Sequence, residues 1–446
     1  MGWQILLNIG IFLGTLILVF WRPKGLGIGF SAMGGALLTL TTGIVSLATI
    51  PKMIFVILAN ISLTLVGLIA LSWILQQKGI FRWFAFRIAH LNLGSGKLLF
   101  ATLLILTALV SVFFTNYGST LLFLPIVIET LVLLEFSPSE IMPFIMACGW
   151  ISDSSSISFT ISNLVNSTVA SAYDISFGRY GIVMLPVSFV SIGISLVVLL
   201  FYFWSDIPSR YKKFKFSQES LKISLPTGNL AHKINLYSAQ PGEDNNDLSS
   251  KSVEAVERKK THKILAEILP DHYLVKYFVA PIKIFTKFIF HPSLQIILFI
   301  WGIYIIVFGL GNSGLTDVIK ILLIHISQWG FSLGIIATGF LSALISAVCN
   351  NLPSSLINTL TIQSAPITNP NLLEAMVYAN IIGCVIGAKI TPIGSLSTLF
   401  WFHILQKHGF HISWKNYFRM SMIIILPILF ISLLSFAIWL PGMQIS

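Results

Sequence analysis

Charged residues are scarce in this sequence: Asp, Glu, Lys and Arg make up 10% of its 446 residues, whereas 55% are hydrophobic. About a quarter of an ordinary soluble domain is charged, so this chain cannot cover itself with a water-compatible surface. The three cysteines, Cys148, Cys349 and Cys384, lie in apolar segments without a CxxC pair, which excludes a disulfide framework and a cysteine-based zinc site. HExxH motifs and intramembrane carboxylate dyads are missing as well, so we expect no enzyme, no cofactor and no bound metal.

Long apolar runs take the place of a charged surface, for example from Ile5 to Phe20, from Met53 to Leu75 and from Met420 to Leu440. Runs of this kind cross about 30 Å of hydrocarbon as helices. The formal net charge of +11 comes from Lys and Arg residues in the connections between the runs, which argues against a nucleic-acid partner. The composition therefore predicts a bundle of transmembrane helices in a lipid bilayer.

Cytoplasmic loops of membrane proteins are rich in Lys and Arg, so we assign the basic connections to the cytoplasm. These connections are Arg22 with Lys24, Lys78 through Lys97, the stretch after Trp204, and Lys407 through Arg419. The assignment predicts a multi-pass protein of the bacterial cytoplasmic (inner) membrane with both termini in the periplasm. Basic residues follow the first apolar run and none precedes it, which is typical of a permanent span and not of a cleaved signal peptide.

A hydrophilic segment rich in Ser, Asn and mixed charge, residues 205–291, predicts a cytoplasmic linker between two membrane units. Its residues 273–290 space lysines among aromatic and aliphatic residues, the pattern of a helix lying on the membrane surface. Residues 81–90, before the first hairpin, have a similar amphipathic pattern.

The two membrane units repeat one pattern. NYGSTLLF from Asn116 aligns with NLPSSLIN from Asn351, each after an apolar arm. These polar interruptions predict re-entrant hairpins at 98–136 and about 331–366. Further interruptions, rich in Ser and Asp in the first unit and reading KITPIGS in the second, predict broken transmembrane helices at 140–166 and about 372–404.

The units are residues 1–204, with two extra N-terminal spans, and residues 292–446. The first unit starts outside and the second starts from the cytoplasmic linker, so they must have opposite orientations. The predicted fold class is an all-α polytopic membrane protein of two inverted repeats, each with a re-entrant hairpin and a broken transmembrane helix. This is an architecture of secondary transporters, whose site lies where the interruptions converge.

Polar backbone in a bilayer must be buried in protein or line a wet cavity, so the four interruptions define the candidate site. Any single Ser or Thr in them could simply cap or join helices, but four clusters at related places favour substrate binding. The predicted substrate-binding residues are Asn116, Ser119, Thr120, Ser156, Asn163, Asn350, Asn351, Ser354, Thr391 and Ser395.

Asp153 and Lys389 are the ionisable residues of the two helix interruptions. A charge at mid-membrane costs about 3 kcal/mol or more, so each needs a partner. Their near-equivalent positions in the two repeats predict a buried ion pair. A carboxylate that is protonated in one state and paired in the other would couple export to inward proton flow, although a static structural pair is the alternative.

Several motifs resemble those of the arsenite permeases (arsenical pump membrane proteins) of the ion transporter superfamily. The matching segments are WRPKGLGIG from Trp21, NYGSTLLFLPIVI from Asn116, ISNLVN from Ile161, NNLP from Asn350, and EAMVYANIIGCVIGAKITPIGSL from Glu374. They cover nearly the whole chain outside the linker. The sequence departs from the family pattern where Tyr117, Val385 and Ala388 stand in place of two acids and a proline, and where the linker replaces two spans.

The resemblance implies proton-driven efflux of arsenite or antimonite, with some members working beside a soluble arsenical-pump ATPase. It leaves open whether this chain docks such an ATPase or forms a homodimer. Neutral arsenite trihydroxide suits a pocket of amides and hydroxyls. Cys148, Cys349 and Cys384 could ligate the metalloid as thiols, but three thiolates would release it slowly. The alternative function is a dicarboxylate or sodium-coupled anion transporter of the same superfamily, which the scarcity of cations at the interruptions disfavours.

Overall fold

The structure, a computed structural model, describes residues 2–21, 26–46, 94–211 and 292–444, together with isolated positions at 23, 67, 71, 74–75, 78, 84 and 87–88. The predicted span at 53–75, the surface helices at 81–90 and 273–290 and most of the linker fall outside these ranges. The described helices are α1 (Gly2–Trp21), α2 (Ile28–Thr41), α3 (Gly96–Gly118), α4 (Leu124–Leu133), α5 (Pro138–Ser155), α6 (Leu164–Ala172), α7 (Phe177–Tyr202), α8 (Pro292–Leu310), α9 (Thr316–Ser327), α10 (Phe331–Cys349), α11 (Asn351–Ser364), α12 (Pro370–Gly387), α13 (Leu396–Lys407) and α14 (Trp414–Gln444).

The described residues form helices throughout, apart from one isolated antiparallel bridge between Ser95 and Arg210. Six helical segments are long and apolar enough to cross a membrane: Gly96–Leu133, Phe177–Tyr202, Ile297–Gly314, Phe331–Cys349, Pro370–Ile390 and Trp414–Gly442. The chain is therefore an all-helical, multi-pass membrane protein, as the apolar runs predict.

Both predicted hairpin tips are sites of unusual backbone geometry. Thr115 has φ 69° and ψ 162°, and Asn350 has φ 74° and ψ 146°. Residues with side chains rarely adopt positive φ, so the tight turns at these two points are imposed by the surrounding structure. In the second unit the chain reverses direction at this turn. The two arms lie side by side, as shown by the hydrogen bond from the Ser354 hydroxyl, after the turn, to the carbonyl of Ile345, before the turn.

The broken helices also follow one plan in both units. In the first unit, Pro138 begins a helix of 18 residues, and a 3₁₀ turn and the capping residue Asn163 precede the next helix. In the second unit, Pro370 begins a helix of 18 residues, and a 3₁₀ turn and the capping residue Ser395 precede the next helix. The first interruption begins later than predicted. Serines up to Ser155 remain helical because their hydroxyls donate to carbonyl oxygens of the preceding turn.

This shared plan changes the register between the units. With the prolines and caps superposed, Asp153 corresponds to Val385, and Lys389 corresponds to Ile157. Asp153 thus lies in the last turn of α5, whereas Lys389 lies in the 3₁₀ turn after α12. The two charged residues are therefore near-equivalent, as expected from the sequence, but four residues out of register (Lys389 against Val385).

Contacts between helix ends show how the units are oriented. The start of α12 meets the start of α7, where Glu374 and Arg179 form an ion pair. The end of α7 instead meets the starts of α5 and α14, since Phe203, Glu140 and Met420 line one cavity. Thus α5 and α12 begin at opposite ends of α7. These contacts support the predicted inversion of the two repeats, which stays a prediction.

Helices α1, α2 and α8 pack together beside the two units. The Asn8 amide, near the start of α1, donates to the carbonyl of Gly309 near the end of α8. Gly302 of α8 lies so close to Ala32 of α2 that a Cβ atom there would collide with the Ala32 backbone. Small residues permit such close helix packing in membranes. Helix α8 also touches α11 and α13, which connects this group to the site.

Candidate functional site

A fully buried ion pair joins the two units. Lys389 Nζ lies 3.2 Å from Asp153 Oδ2, and both side chains are at most 2% exposed. The pair expected from the sequence is therefore present, although its positions are four residues out of register. Burial of two charges is costly, and it is tolerated only where further hydrogen bonds satisfy them. Whether the pair exchanges protons stays a prediction.

Ser397 supplies much of that further bonding, and sequence reasoning missed it. Its hydroxyl lies 3.3 Å from Lys389 Nζ, 3.4 Å from Asp153 Oδ1 and 3.3 Å from Asn116 Nδ2. Ser395 Oγ is 2.8 Å away. Ser397 is in the first turn of α13, where the helix N-terminus favours negative charge, so α13 also stabilises the Asp153 carboxylate electrostatically.

Both hairpin tips meet at the second interruption. At the first tip, the Asn116 amide donates to Asp153 Oδ1 at 2.7 Å and to Ser397. At the second tip, the backbone N–H of Asn351 donates to the carbonyl of Gly394 at 2.7 Å. Residues 394–397 thus bind both tips, and they lie in the protein interior. The predicted convergence of Asn116 and Asn351 on one buried region is seen in these contacts.

The Asn351 side chain is buried but has no hydrogen-bond partner at either Oδ1 or Nδ2 among the described residues. It is 1% exposed, so bulk solvent does not reach it. Asn116 Oδ1 is in the same condition. A buried polar atom without a partner costs about 1–3 kcal/mol. Such atoms are suited to bind a small polar molecule.

The other predicted residues of the first unit support the ion pair indirectly, through bonds to the backbone near it. The hydroxyls of Ser119 and Thr120 both donate to the carbonyl of Asn116, which fixes the first tip. Ser156 donates to the carbonyl of Asp153 and accepts from the Asn163 amide. These bonds position the backbone that carries Asn116 and Asp153.

In the second unit, three predicted residues fasten the hairpin to the interruption. The Asn350 amide donates to the carbonyl of Ile393 at 2.9 Å. Thr391 donates to the carbonyl of Ala347 and accepts from the Gly394 N–H. Ser354 joins the two hairpin arms, as described above. These side chains use their hydrogen bonds within the fold, so they hold the second tip in place.

The predicted thiols do not gather around the ion pair. Cys148 lines a small cavity of about 10 Å³ with Ser119, Thr120 and Trp401. Cys384 instead contacts Asn380 Oδ1 at 3.3 Å, in a separate polar cluster. No three His, Cys, Asp or Glu side chains in the described part of the chain lie close enough to hold one metal ion. A site of three thiolates is therefore not formed in this conformation.

Comparison with known proteins matches most of the sequence to one family. A family model for the arsenical pump membrane protein matches residues 7–224 and 264–440. The chain belongs to the arsenical pump membrane protein family. Two members from Escherichia coli, one from strain K12, are 36% identical over 428 and 435 residues, covering 96% of this chain and 97% of each relative. A putative arsenical pump membrane protein of Bacillus subtilis (strain 168) is 27% identical over 431 residues, covering 94% of this chain and 96% of the relative.

The family resemblance drawn from the motifs is thus confirmed, and the chain is a multi-pass membrane transporter of the arsenical pump family. The long motif that begins at Glu374 now has a structural meaning. It forms α12 and the second interruption, including Lys389 and Ser395. The motif therefore contains Lys389 and the residues that bind the second hairpin tip, whereas Ser397, which bonds to Asn116 at the first tip, lies directly after it.

Proposed function

We propose that this protein exports arsenite or antimonite by alternating access, driven by inward proton flow. The observation that carries the proposal is the buried Asp153–Lys389 pair, which lies where both hairpin tips are bound to the second interruption. A change in the charge of Asp153 would therefore act on both tips at once. An ion pair that only stabilised the fold would not need to lie where both hairpin tips are bound.

The proton cycle follows from the bonding of the pair. While Asp153 is charged, Lys389, Asn116 and Ser397 all stabilise the carboxylate. A proton on Asp153 removes the attraction of the carboxylate for Lys389. It also weakens the hydrogen bond by which the carboxylate holds Asn116 at the first hairpin tip. Loss of the proton on the other side of the membrane restores the pair and resets the cycle. Each conformation is thus favoured by one protonation state.

The substrate is expected to bind beside this pair. Arsenite trihydroxide is neutral and offers three hydroxyl groups, which can donate and accept hydrogen bonds. The unpartnered amide of Asn351, with Asn116 Oδ1, offers matching groups. Direct thiol ligation by Cys148, Cys349 or Cys384 remains a second mode of binding, which a cysteine-free variant would test.

Dicarboxylate transport is the less favoured alternative. Lys389 is the cation that the interruptions offer, and Asp153 already neutralises it. A dianion would thus meet a centre with no net charge, so its desolvation would not be offset by a bidentate cationic partner. Uptake of labelled succinate into proteoliposomes would favour this alternative.

Everted membrane vesicles provide the test. Energised vesicles should accumulate arsenite, and a protonophore should abolish the accumulation. Asp153→Asn should lose the dependence on the pH gradient, whereas the matched control Asp174→Asn should keep it, because Asp174 is in the turn after α6 and outside the centre. Full gradient-dependent export by Asp153→Asn would contradict the proposal.

The proposed orientation places the protein in the bacterial inner membrane with both termini in the periplasm. Basic residues lie at the start of α3 (Lys97), in the segment after α7 (Arg210) and at the start of α14 (Lys415 and Arg419), and the positive-inside rule assigns this face to the cytoplasm. A soluble ATPase partner and a homodimer stay predictions from the family resemblance.

A further inference from the structure

The Ser397 hydroxyl has more neighbours than it can bond at one time. Its four polar neighbours are Asn116 Nδ2, Lys389 Nζ, Asp153 Oδ1 and Ser395 Oγ. A hydroxyl donates one hydrogen bond and accepts two. The amide and ammonium groups can only donate, so they occupy both lone pairs. The single hydroxyl proton is left to choose between Asp153 and Ser395.

The charge of Asp153 decides that choice. A carboxylate is a much stronger acceptor than a neutral hydroxyl, so the proton of Ser397 points to Asp153 when the latter is charged. A protonated carboxyl group loses this advantage. Ser395 Oγ, at 2.8 Å and nearer than Asp153 Oδ1 at 3.4 Å, then accepts the bond. Ser397 therefore has two hydroxyl orientations, one for each protonation state.

Ser395 stands next to the point where the second hairpin is fastened. It precedes α13, yet its side chain makes no capping bond to that helix. Its neighbour Gly394 accepts from the backbone of Asn351, and Ile393 accepts from the side chain of Asn350. A change in the bonding of Ser395 thus acts on the stretch that holds the second tip.

We propose that Ser397 is a positioning residue that carries the protonation state of Asp153 to the second hairpin by turning its hydroxyl between Asp153 and Ser395. The inference rests on the proposed function, because it treats Asp153 as the proton-binding group. The other titratable groups near Asp153 are Lys389, Tyr117 from α3 and Tyr417 from α14. They are unchanged in a Ser397 variant, so they contribute equally to the parent protein and the variant.

Cys349 offers a reporter at the second tip, since it is buried directly before Asn350. In a purified protein carrying Cys148→Ser and Cys384→Ser, the rate of maleimide labelling of Cys349 is measured from acid to neutral pH. Asp153→Asn provides the baseline, because it retains the pH dependence of the thiol chemistry and lacks the switching carboxyl group. The parent should show an additional pH dependence, which reports movement of the tip.

Ser397→Ala should lose the additional pH dependence, and Ser397→Thr, which keeps the hydroxyl, should regain it. Ser395→Ala removes the second acceptor, so it should also lose the additional pH dependence of Cys349 labelling. This variant provides the test if Ser397→Ala does not fold. The matched control is Ser432→Ala, a buried serine of α14 that donates to its own helix and should behave as the parent does. Equal melting temperatures identify folded variants.

The proposal is overturned if both Ser397→Ala and Ser395→Ala keep the dependence of the parent. It is also overturned if the parent shows none beyond Asp153→Asn, because protonation then does not reach the hairpin. The labelling contains no metalloid. Failure of arsenite export in vesicles therefore refutes the proposed function separately, whatever the labelling shows.

Discussion

Removing Lys389 alone should destabilise the protein more than removing both members of the ion pair. In Lys389→Met, Asp153 Oδ2 loses its partner at 3.2 Å and keeps none among the described residues, whereas Oδ1 retains Asn116 and Ser397. Breaking a buried pair in this way costs about 3–5 kcal/mol. The two retained hydrogen bonds place this variant near the lower end, about 3 kcal/mol.

The double variant Asp153→Asn/Lys389→Met leaves no buried charge. Its Asn side chain can still bond to Ser397, so we expect a cost of about 1 kcal/mol. The difference of about 2 kcal/mol corresponds to roughly a 30-fold change in the unfolding equilibrium. Reversible unfolding in mixed detergent micelles, followed by tryptophan fluorescence, measures it. Lys415→Met, at the exposed start of α14, is the control and should change stability by less than about 0.5 kcal/mol.

Equal destabilisation in the single and double variants would refute this reasoning, since the two charges would then not interact. The same proteins separate a structural pair from a coupling pair. A folded double variant should lose protonophore-sensitive export. If it exports arsenite with full sensitivity to the protonophore, the pair only stabilises the fold.

Three further experiments test the packing of the fold, each by the same unfolding measurement. Thr115→Gly should stabilise the protein by about 1 kcal/mol, because the relief of positive φ, about 1–3 kcal/mol, exceeds the loss of the hydrogen bond that Thr115 Oγ1 accepts from the Gly118 N–H; a destabilised variant would show that this hydrogen bond outweighs the strain. Gly383→Ala should cost about 1–3 kcal/mol because its Cβ would meet a backbone carbonyl oxygen of α10, and a neutral effect would contradict that close contact. A double-mutant cycle on Arg179 and Glu374 should give at most about 1 kcal/mol, decreasing with added salt, because both side chains are about one-third exposed; a larger, salt-independent coupling would mean that the pair is buried in solution.

Much of this fold could be predicted from the sequence, because lipid leaves the backbone few alternatives. A polar break in an apolar run must be buried, so the segments NYGST and NLPSS predict both hairpin tips from the sequence alone. The burial of Asp153 and Lys389 and their pairing followed from the cost of a lone charge. These predictions depend on composition along the chain, which the sequence shows directly.

Details that depend on register could not be predicted in the same way. Ser152 to Ser155 looked like part of an interruption, but their hydroxyls bond within α5 and leave the helix intact. Ser397 was missed because nothing in the sequence distinguishes it from Thr398, one position further along α13. Only the packing of Asn116 and Asp153 from the first unit against that turn selects Ser397.

The departure from symmetry has a physical reason. The Asp153–Lys389 contact lies in a dry interior, where two like charges would repel strongly. Here one unit provides the acid in the last turn of a helix, and the other provides the base in the 3₁₀ turn after a helix. The repeated backbone brings two polar interruptions together, and the unequal charges make their contact attractive. In the proposed mechanism the attraction persists only while Asp153 is charged, so a single proton would weaken the contact between the two units at this point.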